Sequence, residues 1–260
     1  MPAHILITND DGVTSPGLLA LKQALEAVGQ VTVFAPDRNW SAAGHSKTMH
    51  KPLRINQVTL ADGSPAYTTN GAPSDCVGLA LLGAIPHYPD LVISGINQGC
   101  NLGHDITYSG TVAGAMEAVV GGIPAIAVSL DAREWSDFAA VTGVVARLAR
   151  LILANGLPPN LLFNVNAPAV SSNDVLGVAI TRLGQRVYRD VLIERLDPKG
   201  QPYYWIGGEP PSGVVEDGTD IGAVANGYIS ITPLSMDMTA YGYMEQLRAW
   251  MAELEIAGRK

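Results

Sequence analysis

The sequence predicts an α/β protein with a mainly parallel, Rossmann-like sheet that is flanked by helices. Short apolar runs alternate with segments in which apolar residues recur at helical spacing, a pattern typical of parallel sheets with helices on both faces. After about residue 170 the pattern changes to extended segments separated by Gly and Pro. We therefore expect one domain over residues 1–260, with a Rossmann-like core in residues 1–170 and a β-rich extension with a C-terminal helix in residues 171–260.

The elements of the core follow one another in a regular order. The first helix has clear boundary signals, because Ser15 can cap its start, Pro16 suits its first turn and Gly29 suits its end. The predicted strands are short apolar runs, which indicates burial inside the sheet. Strands are predicted at residues 4–8, 31–35, 90–94, 125–129 and 161–165, extended segments within 52–70, and further helices at 73–82, 111–120 and 136–154.

The C-terminal region has a different pattern. Residues 177–232 show extended segments with almost no helical periodicity, and a last helix is predicted at about residues 244–256. Clustered aromatic and arginine side chains favour contact surfaces. Two interpretations remain open, a long hairpin that reaches a neighbouring subunit and an antiparallel edge sheet that packs on its own domain. The residues behind the first interpretation are Arg186, Tyr188, Tyr203, Tyr204 and Trp205.

Composition excludes several classes of protein. A net charge of −8 argues against a broad nucleic-acid surface, which requires Lys and Arg, although a bound metal would still allow a small anionic substrate. No apolar stretch is long enough to predict a membrane span, and the N-terminal residues show no secretory signal. The two cysteines, Cys76 and Cys100, lack metal-site spacing and are expected to be reduced thiols in a cytoplasmic protein.

An acidic pair, Asp10 and Asp11, directly follows the first predicted strand. Ligands of open α/β sheets bind at the carboxyl ends of the strands, so the pair is placed where a site is expected. Adjacent carboxylates repel each other unless a cation lies beside them, and a hard divalent metal is the expected cation. The alternative is an exposed turn, since Asp-Asp-Gly is a common turn sequence.

Polar loops after the other predicted strands should meet at the same edge of the sheet. Their side chains are rich in hard oxygen donors, which suit Mg²⁺, Mn²⁺ or Ca²⁺ better than zinc. The histidine of the second loop is a candidate acid for protonating a leaving group. These loops contain Asp37, Arg38, Asn39, Ser41, His45 and Ser46, then Ser94, Asn97, Asn101 and His104, and finally Ser129 and Asp131.

The helix start at Ser109, Gly110 and Thr111 is a candidate phosphate-binding site. Backbone N–H groups at a helix N-terminus are unpaired, and the helix dipole favours an anion there. Gly110 would allow a phosphate to approach the backbone closely. The alternative is an ordinary N-cap followed by a small-residue helix packed on the sheet.

Other nucleotide and phosphoryl-transfer folds fit less well. No G-x-G-x-x-G motif follows the first strand, which argues against a dinucleotide-binding protein. A haloacid-dehalogenase-type phosphatase needs a nucleophilic Asp where this chain has Asn9. A receiver domain needs a phospho-accepting Asp after its third strand, whereas the strand at 90–94 ends in Ser94 and leads to Asn97. Direct attack by water is the remaining expectation.

Four motifs, in order along nearly the whole chain, resemble the SurE family of stationary-phase survival proteins. A late segment, Tyr228-Ile229-Ser230-Ile231-Thr232-Pro233-Leu234, is similar to a strand motif of the same family. The four motifs are Asn9-Asp10-Asp11-Gly12 with Ser15-Pro16-Gly17, Ser41-Ala42-Ala43-Gly44-His45-Ser46, Ser94-Gly95-Ile96-Asn97-Gln98-Gly99 and Tyr108-Ser109-Gly110-Thr111-Val112.

The resemblance implies a metal-dependent phosphatase of nucleoside monophosphates, acting at the 5′ and often the 3′ position, with short polyphosphate as a further substrate of some members. It implies a divalent metal, Mg²⁺ or Mn²⁺, held by Asp10, Asp11, Ser41 and Asn97. It also implies a Rossmann-like core and homodimers or homotetramers joined through the C-terminal region.

Residue roles follow by combining the resemblance with the loop chemistry. Asp10 or Asp11 is expected to orient or deprotonate the attacking water, with His45 as candidate acid. Two rivals remain, a non-catalytic oligomeric sensor that binds metal and nucleotide, and a phosphatase for another small anionic ester or short polyphosphate. The expected phosphate-binding residues are Asn9, Asn101, Ser109, Gly110 and Thr111.

Overall fold

A computed structural model describes residues 2–131 and 137–251. Within these residues, eleven strands form two sheets, one of nine strands and one of two. The strands are β1 (His4–Thr8), β2 (Gln30–Pro36), β3 (Ile55–Thr59), β4 (Pro65–Thr69), β5 (Leu91–Gln98), β6 (Ala125–Leu130), β7 (Leu161–Ala167), β8 (Gly177–Ile180), β9 (Arg186–Leu196), β10 (Pro202–Gly213) and β11 (Tyr228–Ser235).

The large sheet has the strand order β3-β4-β2-β1-β5-β6-β7-β11-β8. Strands β4, β2, β1, β5, β6 and β7 are parallel to their neighbours, whereas β3 at one edge and β11 near the other run antiparallel to the strand they join. The chain proceeds from β1 to β2 on one side and later places β5 on the other side. This reversal between β1 and β5 opens a crevice at their carboxyl ends, the usual ligand position in such sheets.

Helices cover both faces of the sheet, as predicted. Alternate residues of β1 point to opposite faces, so Ile5 and Ile7 join the core under α1 and α4, whereas Leu6 joins the core under α2 and α3. The helices are α1 (Pro16–Leu25), α2 (Pro73–Leu81), α3 (Gly110–Val120), α4 (Ala139–Asn155), α5 (Asp220–Ala225) and α6 (Met244–Ala249), with 3₁₀ helices at Gly103–Thr107 and Tyr241–Tyr243.

Several boundaries differ from the prediction for physical reasons. Helix α1 ends before Gly29, where an added Cβ would lie 2.4 Å from the Ala3 carbonyl oxygen, so this glycine permits a close chain approach rather than ending the helix. Helix α5 was not predicted, because its six residues are too few to show a period. Residue 136 of one predicted helix and residues 252–256 of the last lie outside the described residues.

The predicted C-terminal hairpin is confirmed. Strands β9 and β10 pair only with each other, in a separate antiparallel sheet that we call the arm, residues 186–213. The arm exposes large apolar side chains, among them Leu192 and Trp205, which are 68% and 62% exposed. Contact of the arm with a neighbouring subunit stays a prediction. Among the described residues, none of the helices has the length and apolar character needed to cross a membrane.

Candidate active site

A cleft of about 240 Å³ lies outside the carboxyl ends of β1 and β5. It brings together side chains that follow different strands and are distant in the sequence, as the parallel topology requires. The predicted site residues that line it are Asp10, Ser41, Asn97, Asn101 and Ser109, and the other lining residues are Ala42, Gln98, Gly99, Cys100, Asp105 and Tyr108.

Asp10 is buried at the base of this cleft, with only 3% of its surface exposed, which excludes the alternative of an exposed turn. The Thr111 hydroxyl donates a hydrogen bond to its Oδ1, and the Trp40 N–H donates to its backbone carbonyl at 2.8 Å. Burial raises the pKa of the Asp10 carboxyl, and the neighbouring charge of Asp11 raises it further, against the opposing effect of the Thr111 hydrogen bond. A nearby cation would therefore stabilise the ionised form.

Asp11 is half-buried and makes only long hydrogen bonds. Its Oδ2 accepts from the Gln98 N–H at 3.3 Å, and its Oδ1 accepts from Asn39 Nδ2 at 3.4 Å. Burial raises the pKa of the Asp11 carboxyl, and the Gln98 N–H partly counteracts this. The carboxylate thus retains acceptor capacity for a further partner.

The remaining predicted metal ligands, Ser41 and Asn97, both line the cleft, Ser41 from the loop after β2 and Asn97 from the end of β5. The Ser41 N–H donates to Asn39 Oδ1 at 2.7 Å, and the same Asn39 side chain contacts Asp11, so one residue links the two loops. Asn97 follows a register shift between β5 and β6, and its Nδ2 donates to the Gly99 carbonyl at 2.6 Å. With its nitrogen engaged, Asn97 keeps Oδ1 as a potential ligand.

This donor set fits a hard divalent metal. Asp10 lines the cleft together with the Ser41 hydroxyl and the Asn97 amide, whereas Asp11 is not a lining residue and lies beside the cleft, against the Gln98 N–H. Both carboxyls have raised pKa values. Oxygen ligands of this kind suit Mg²⁺ or Mn²⁺. Within residues 2–131 and 137–251, no group of three or more His, Cys, Asp or Glu side chains has a metal-binding arrangement.

The helix start at residues 109–111 is an ordinary N-cap and also retains groups that could bind a phosphate. Ser109 is the N-cap of α3, since its Oγ accepts from the Val112 N–H at 3.0 Å, and its own hydroxyl hydrogen remains available to the cleft. The Thr111 hydroxyl is engaged by Asp10. An added Cβ at Gly110 would lie 2.8 Å from Asp10 Cβ, so this glycine makes room for the carboxylate, a reason that differs from the one predicted.

The two asparagines predicted to bind phosphate occupy different positions. Asn9 is fully buried and does not line the cleft; its Nδ2 donates to the Gly12 carbonyl at 3.0 Å, and its Oδ1 has no partner among the described residues. Asn101 lines the cleft, with its Nδ2 donating to Ser129 Oγ at 2.8 Å. Its backbone is held by Asn164 and Asn166 of β7, two buried residues that the sequence analysis missed.

His45 is not among the cleft-lining residues. Its Nε2 lies 2.9 Å from Oε2 of Glu117, a buried residue of α3 whose Oε1 accepts from Lys47 Nζ at 2.7 Å. The hydrogen bond from His45 is the largest effect that lowers the pKa of Glu117, and Lys47 adds to it. The structure therefore pairs His45 with Glu117 and does not bring it together with the acidic pair.

Two residues of the cleft wall, Asp105 and Tyr108, were not singled out from the sequence. Asp105 forms an ion pair with Arg186 and accepts from the Tyr188 hydroxyl at 2.6 Å, so the base of the arm contacts the cleft wall. Burial and the Asp105 charge raise the pKa of Tyr188 to about 12. The Tyr108 side chain is 63% exposed, and its backbone is held by hydrogen bonds with Asp105 and Gly44.

A fully buried carboxylate, Asp220, fixes the same wall from the C-terminal side. Its Oδ2 accepts from the Gly103 N–H at 2.8 Å, and its Oδ1 accepts from the Gly184 N–H at 2.7 Å. These bonds join the start of the 3₁₀ helix to the segment that leads into the arm. No local sequence pattern signals this role, because the partners are far apart in the chain.

Comparisons with known proteins identify the family to which the chain is similar. The family model described as Survival protein SurE matches residues 5–190. A protein named 5′-nucleotidase SurE from Herpetosiphon aurantiacus is 57% identical over 246 residues, covering 94% of this chain and 96% of that protein. One of the same name from Chloroflexus aggregans is 54% identical over 250 residues, covering 95% and 98%. The crystal structure of the SurE protein from Aquifex aeolicus superposes with a TM-score of 0.80 at 41% identity, covering 95% of this chain and 99% of that chain.

Proposed function

The chain belongs to the SurE family, and on that premise we propose that it is a 5′-nucleotidase, hydrolysing nucleoside 5′-monophosphates to nucleoside and phosphate. The observation that carries the proposal is the cleft in which Asp10 lies directly against the first turn of α3. An acidic metal-binding pair and a helix N-terminus, side by side, can hold the two kinds of group that a phosphomonoester hydrolase needs.

We propose that Asp10, Asp11, Ser41 and Asn97 hold the divalent metal, Mg²⁺ or Mn²⁺. Their oxygen atoms and the raised pKa values of both carboxyls support this assignment, as do the cleft shared by Asp10, Ser41 and Asn97 and the contact of Asp11 with the cleft residue Gln98. When bound, such a cation supplies charge neutralisation for the phosphate and lowers the pKa of a coordinated water.

The phosphate is proposed to bind at the start of α3. Ser109 donates its hydroxyl hydrogen, the N-terminal turn at Gly110 contributes its helix dipole, and Asn101 completes the polar wall. The side chains of Thr111 and Asn9 are not assigned to the phosphate. The Thr111 hydroxyl bonds to Asp10, and the Asn9 amide bonds within the turn that contains the acidic pair.

Proton transfer is assigned to Asp11 and anchoring to Asp10. The hydrogen bonds to Asp11 are longer, 3.3 and 3.4 Å, so its oxygens can accept a hydrogen bond from the attacking water. Asp10 is buried and tied to Thr111, which suits it to a fixed position. His45 is not used in this scheme, because its Nε2 is engaged with Glu117.

The nucleoside is proposed to lie against Tyr108. An exposed aromatic ring on a fixed backbone beside the phosphate site offers a stacking surface for a base. Replacing Tyr108 with Ala should raise KM for AMP about tenfold and leave KM for ribose 5-phosphate unchanged, whereas Tyr108→Phe should behave like the wild type. Equal effects on both substrates would contradict the stacking role.

A substrate panel tests the proposed activity. With Mg²⁺ or Mn²⁺ present, purified protein should release phosphate from AMP and GMP, and a chelator should stop the release. The panel includes 3′-monophosphates, other small phosphate esters and short polyphosphate, which distinguish the rival phosphatase activities. Nucleotide binding in a calorimeter without any phosphate release would instead support the non-catalytic sensor.

The assembly is proposed to be a homodimer or homotetramer joined through the arm, in a cytoplasmic protein whose Cys76 and Cys100 are free thiols. The exposed apolar side chains of the arm support this, since a second copy would bury them. Sedimentation of wild type and of the double variant Trp205→Ser/Ile206→Ser tests it. We expect the variant to dissociate, and an unchanged sedimentation coefficient would contradict a contact through the arm.

A further inference from the structure

We propose that Glu117 is a positioning residue that holds the proposed metal ligand Ser41 in place. The inference rests on the proposed metal site and concerns residues 41–48, which we call the Ser41 loop. Several residues of this loop are exposed, including Ser41, His45 and Lys47, so little apolar packing fixes it. Its position must therefore depend on polar contacts with the helices beneath it.

The strongest of these contacts converge on Glu117. This carboxylate is buried in the middle of α3, and it bonds His45 at 2.9 Å through Oε2 and Lys47 at 2.7 Å through Oε1. The lowered pKa of Glu117, caused first by the His45 hydrogen bond, is consistent with a carboxylate that stays ionised in this pairing. Since α3 also begins at the proposed phosphate site, Glu117 joins the metal-binding loop to the phosphate-binding helix.

The neighbouring helix is shaped to accommodate this contact. An added Cβ at Gly78 of α2 would lie 3.3 Å from Glu117 Oε1 and 3.7 Å from Lys47 Cε, so the absence of a side chain there leaves room for the ion pair. A second buried carboxylate of α2, Asp75, accepts from the Thr48 N–H at 2.9 Å and from its hydroxyl at 2.6 Å. The far end of the Ser41 loop is thus tied to both helices.

The two residues that precede the Ser41 loop, Asn39 and Trp40, contact the acidic pair directly. The Trp40 N–H donates to the Asp10 carbonyl, and Asn39 bridges the Ser41 N–H and Asp11. Between the two ends, Gly44 donates to the Tyr108 carbonyl at 3.0 Å. Releasing the far end would let Ser41 move while Asp10 and Asp11 stay on the rigid end of β1. Loss of Glu117 should therefore weaken the metal site through Ser41 alone.

Manganese binding in the absence of nucleotide measures this effect, with free Mn²⁺ followed by electron paramagnetic resonance. Glu117→Gln keeps the shape and removes the charge, and we expect about tenfold weaker Mn²⁺ binding. The control is Glu26→Gln, because Glu26, the C-cap residue of α1, is also paired with a lysine, Lys22, but lies outside the cleft-lining set. It should bind Mn²⁺ like the wild type.

A double-mutant cycle separates positioning from a general structural role. If Glu117 acts through Ser41, Glu117→Gln should weaken Mn²⁺ binding little in a Ser41→Ala background. Lys47→Gln removes one exposed partner, and it should weaken Mn²⁺ binding about twofold to threefold even if the Glu117 variant folds poorly.

Three outcomes overturn the proposal and are distinguishable. Wild-type Mn²⁺ affinity in both the Glu117→Gln and Lys47→Gln variants, or an undiminished Glu117→Gln effect in the Ser41→Ala background, overturns the positioning role and leaves the proposed function intact. Absence of Mn²⁺ binding by the wild type overturns the metal site and the positioning role together. Mn²⁺ binding without phosphate release from AMP would instead remove the proposed activity and leave the positioning role standing.

Discussion

Strands β1 and β6 are buried along their whole length and β5 along most of it, whereas most residues of the arm strands β9 and β10 are exposed and none is buried. Both regions contain large apolar side chains, but β9 also carries Arg, Asp and Glu side chains, which β1, β5 and β6 lack. In the core, helices on both faces cover the strands and leave only their carboxyl ends open. In the arm, no element of the described chain covers the apolar side chains. This difference is consistent with the proposal that the open strand ends of the core carry the active site and that the arm is a contact surface.

The largest difference between the core and the arm should appear in kcat when one carboxylate in each region is replaced. Asp10→Asn removes a proposed metal ligand and should lower kcat for AMP by about a thousandfold, equivalent to ~4 kcal/mol, with an unchanged circular dichroism spectrum. Asp190→Asn makes the same change on the exposed face of the arm and should leave kcat unchanged. A loss smaller than tenfold in the Asp10 variant would contradict its assigned role.

The next largest difference between the core and the arm should appear in the free energy of unfolding. Ile93 is fully buried in β5, so Ile93→Ala should lower the free energy of unfolding by about 3 kcal/mol. Ile206 is 82% exposed in the arm, and Ile206→Ala should change it by less than about 0.5 kcal/mol. Urea unfolding is measured at a protein concentration where sedimentation shows a single chain. Similar losses for both variants would mean that the arm packs on its own chain.

Gly110 tests how closely the core edge is packed. An added Cβ would lie 2.8 Å from Asp10 Cβ and 2.9 Å from its Oδ2, so Gly110→Ala should displace the carboxylate and lower kcat/KM about 10-fold to 100-fold. The control is Gly143→Ala in α4, where the nearest atom is Arg147 Nη1 at 3.8 Å. That change should leave kinetics unaltered and raise stability by up to about 1 kcal/mol. Equal kinetics for both variants would contradict the contact.

The smallest effect concerns the pH dependence of stability without metal. Burial raises the pKa of Asp10 in the folded state, so the folded protein binds this proton more tightly than the unfolded chain does. Ionised Asp10 therefore destabilises the fold at neutral pH, and this penalty disappears as the pH falls through the folded pKa. With chelator present, Asp10→Asn should be more stable than wild type in urea at pH 7, and the difference should shrink towards pH 4. A difference that grows on acidification would contradict the raised pKa.

Most of the core was predictable because its signals are local. A run such as residues 125–129 is apolar throughout, and this is sufficient to indicate a buried strand. The extension of β5 to Gln98 was not predicted, since Gly95 and Asn97 interrupt the apolar run. The arm was correctly predicted as a hairpin, but its separation from the large sheet depends on tertiary packing that the sequence pattern does not encode.

The part of the candidate site that lies at the ends of strands could be predicted from the sequence. Asp10 and Asn97 were found because each follows or ends an apolar strand, and the topology then brings them into one cleft. Glu117 and Asp105 were missed, because their partners lie 70 to 83 positions away in the chain. The close approach of Gly110 to Asp10 was not predicted, because the sequence does not reveal which group lies against a glycine.

Asp220 binds the N–H of Gly103, a residue 117 positions earlier in the chain. The acidic pair, the Ser41 loop and the start of α3 all precede Gly184 and Asp220 in the order of synthesis. A growing chain on the ribosome would therefore contain every proposed metal ligand well before it contains the carboxylate that secures the cleft wall. The contacts of Asp220 with Gly103 and Gly184 can form only after residue 220 has been synthesised, so a chain that ends before residue 220 lacks the carboxylate that joins these two segments.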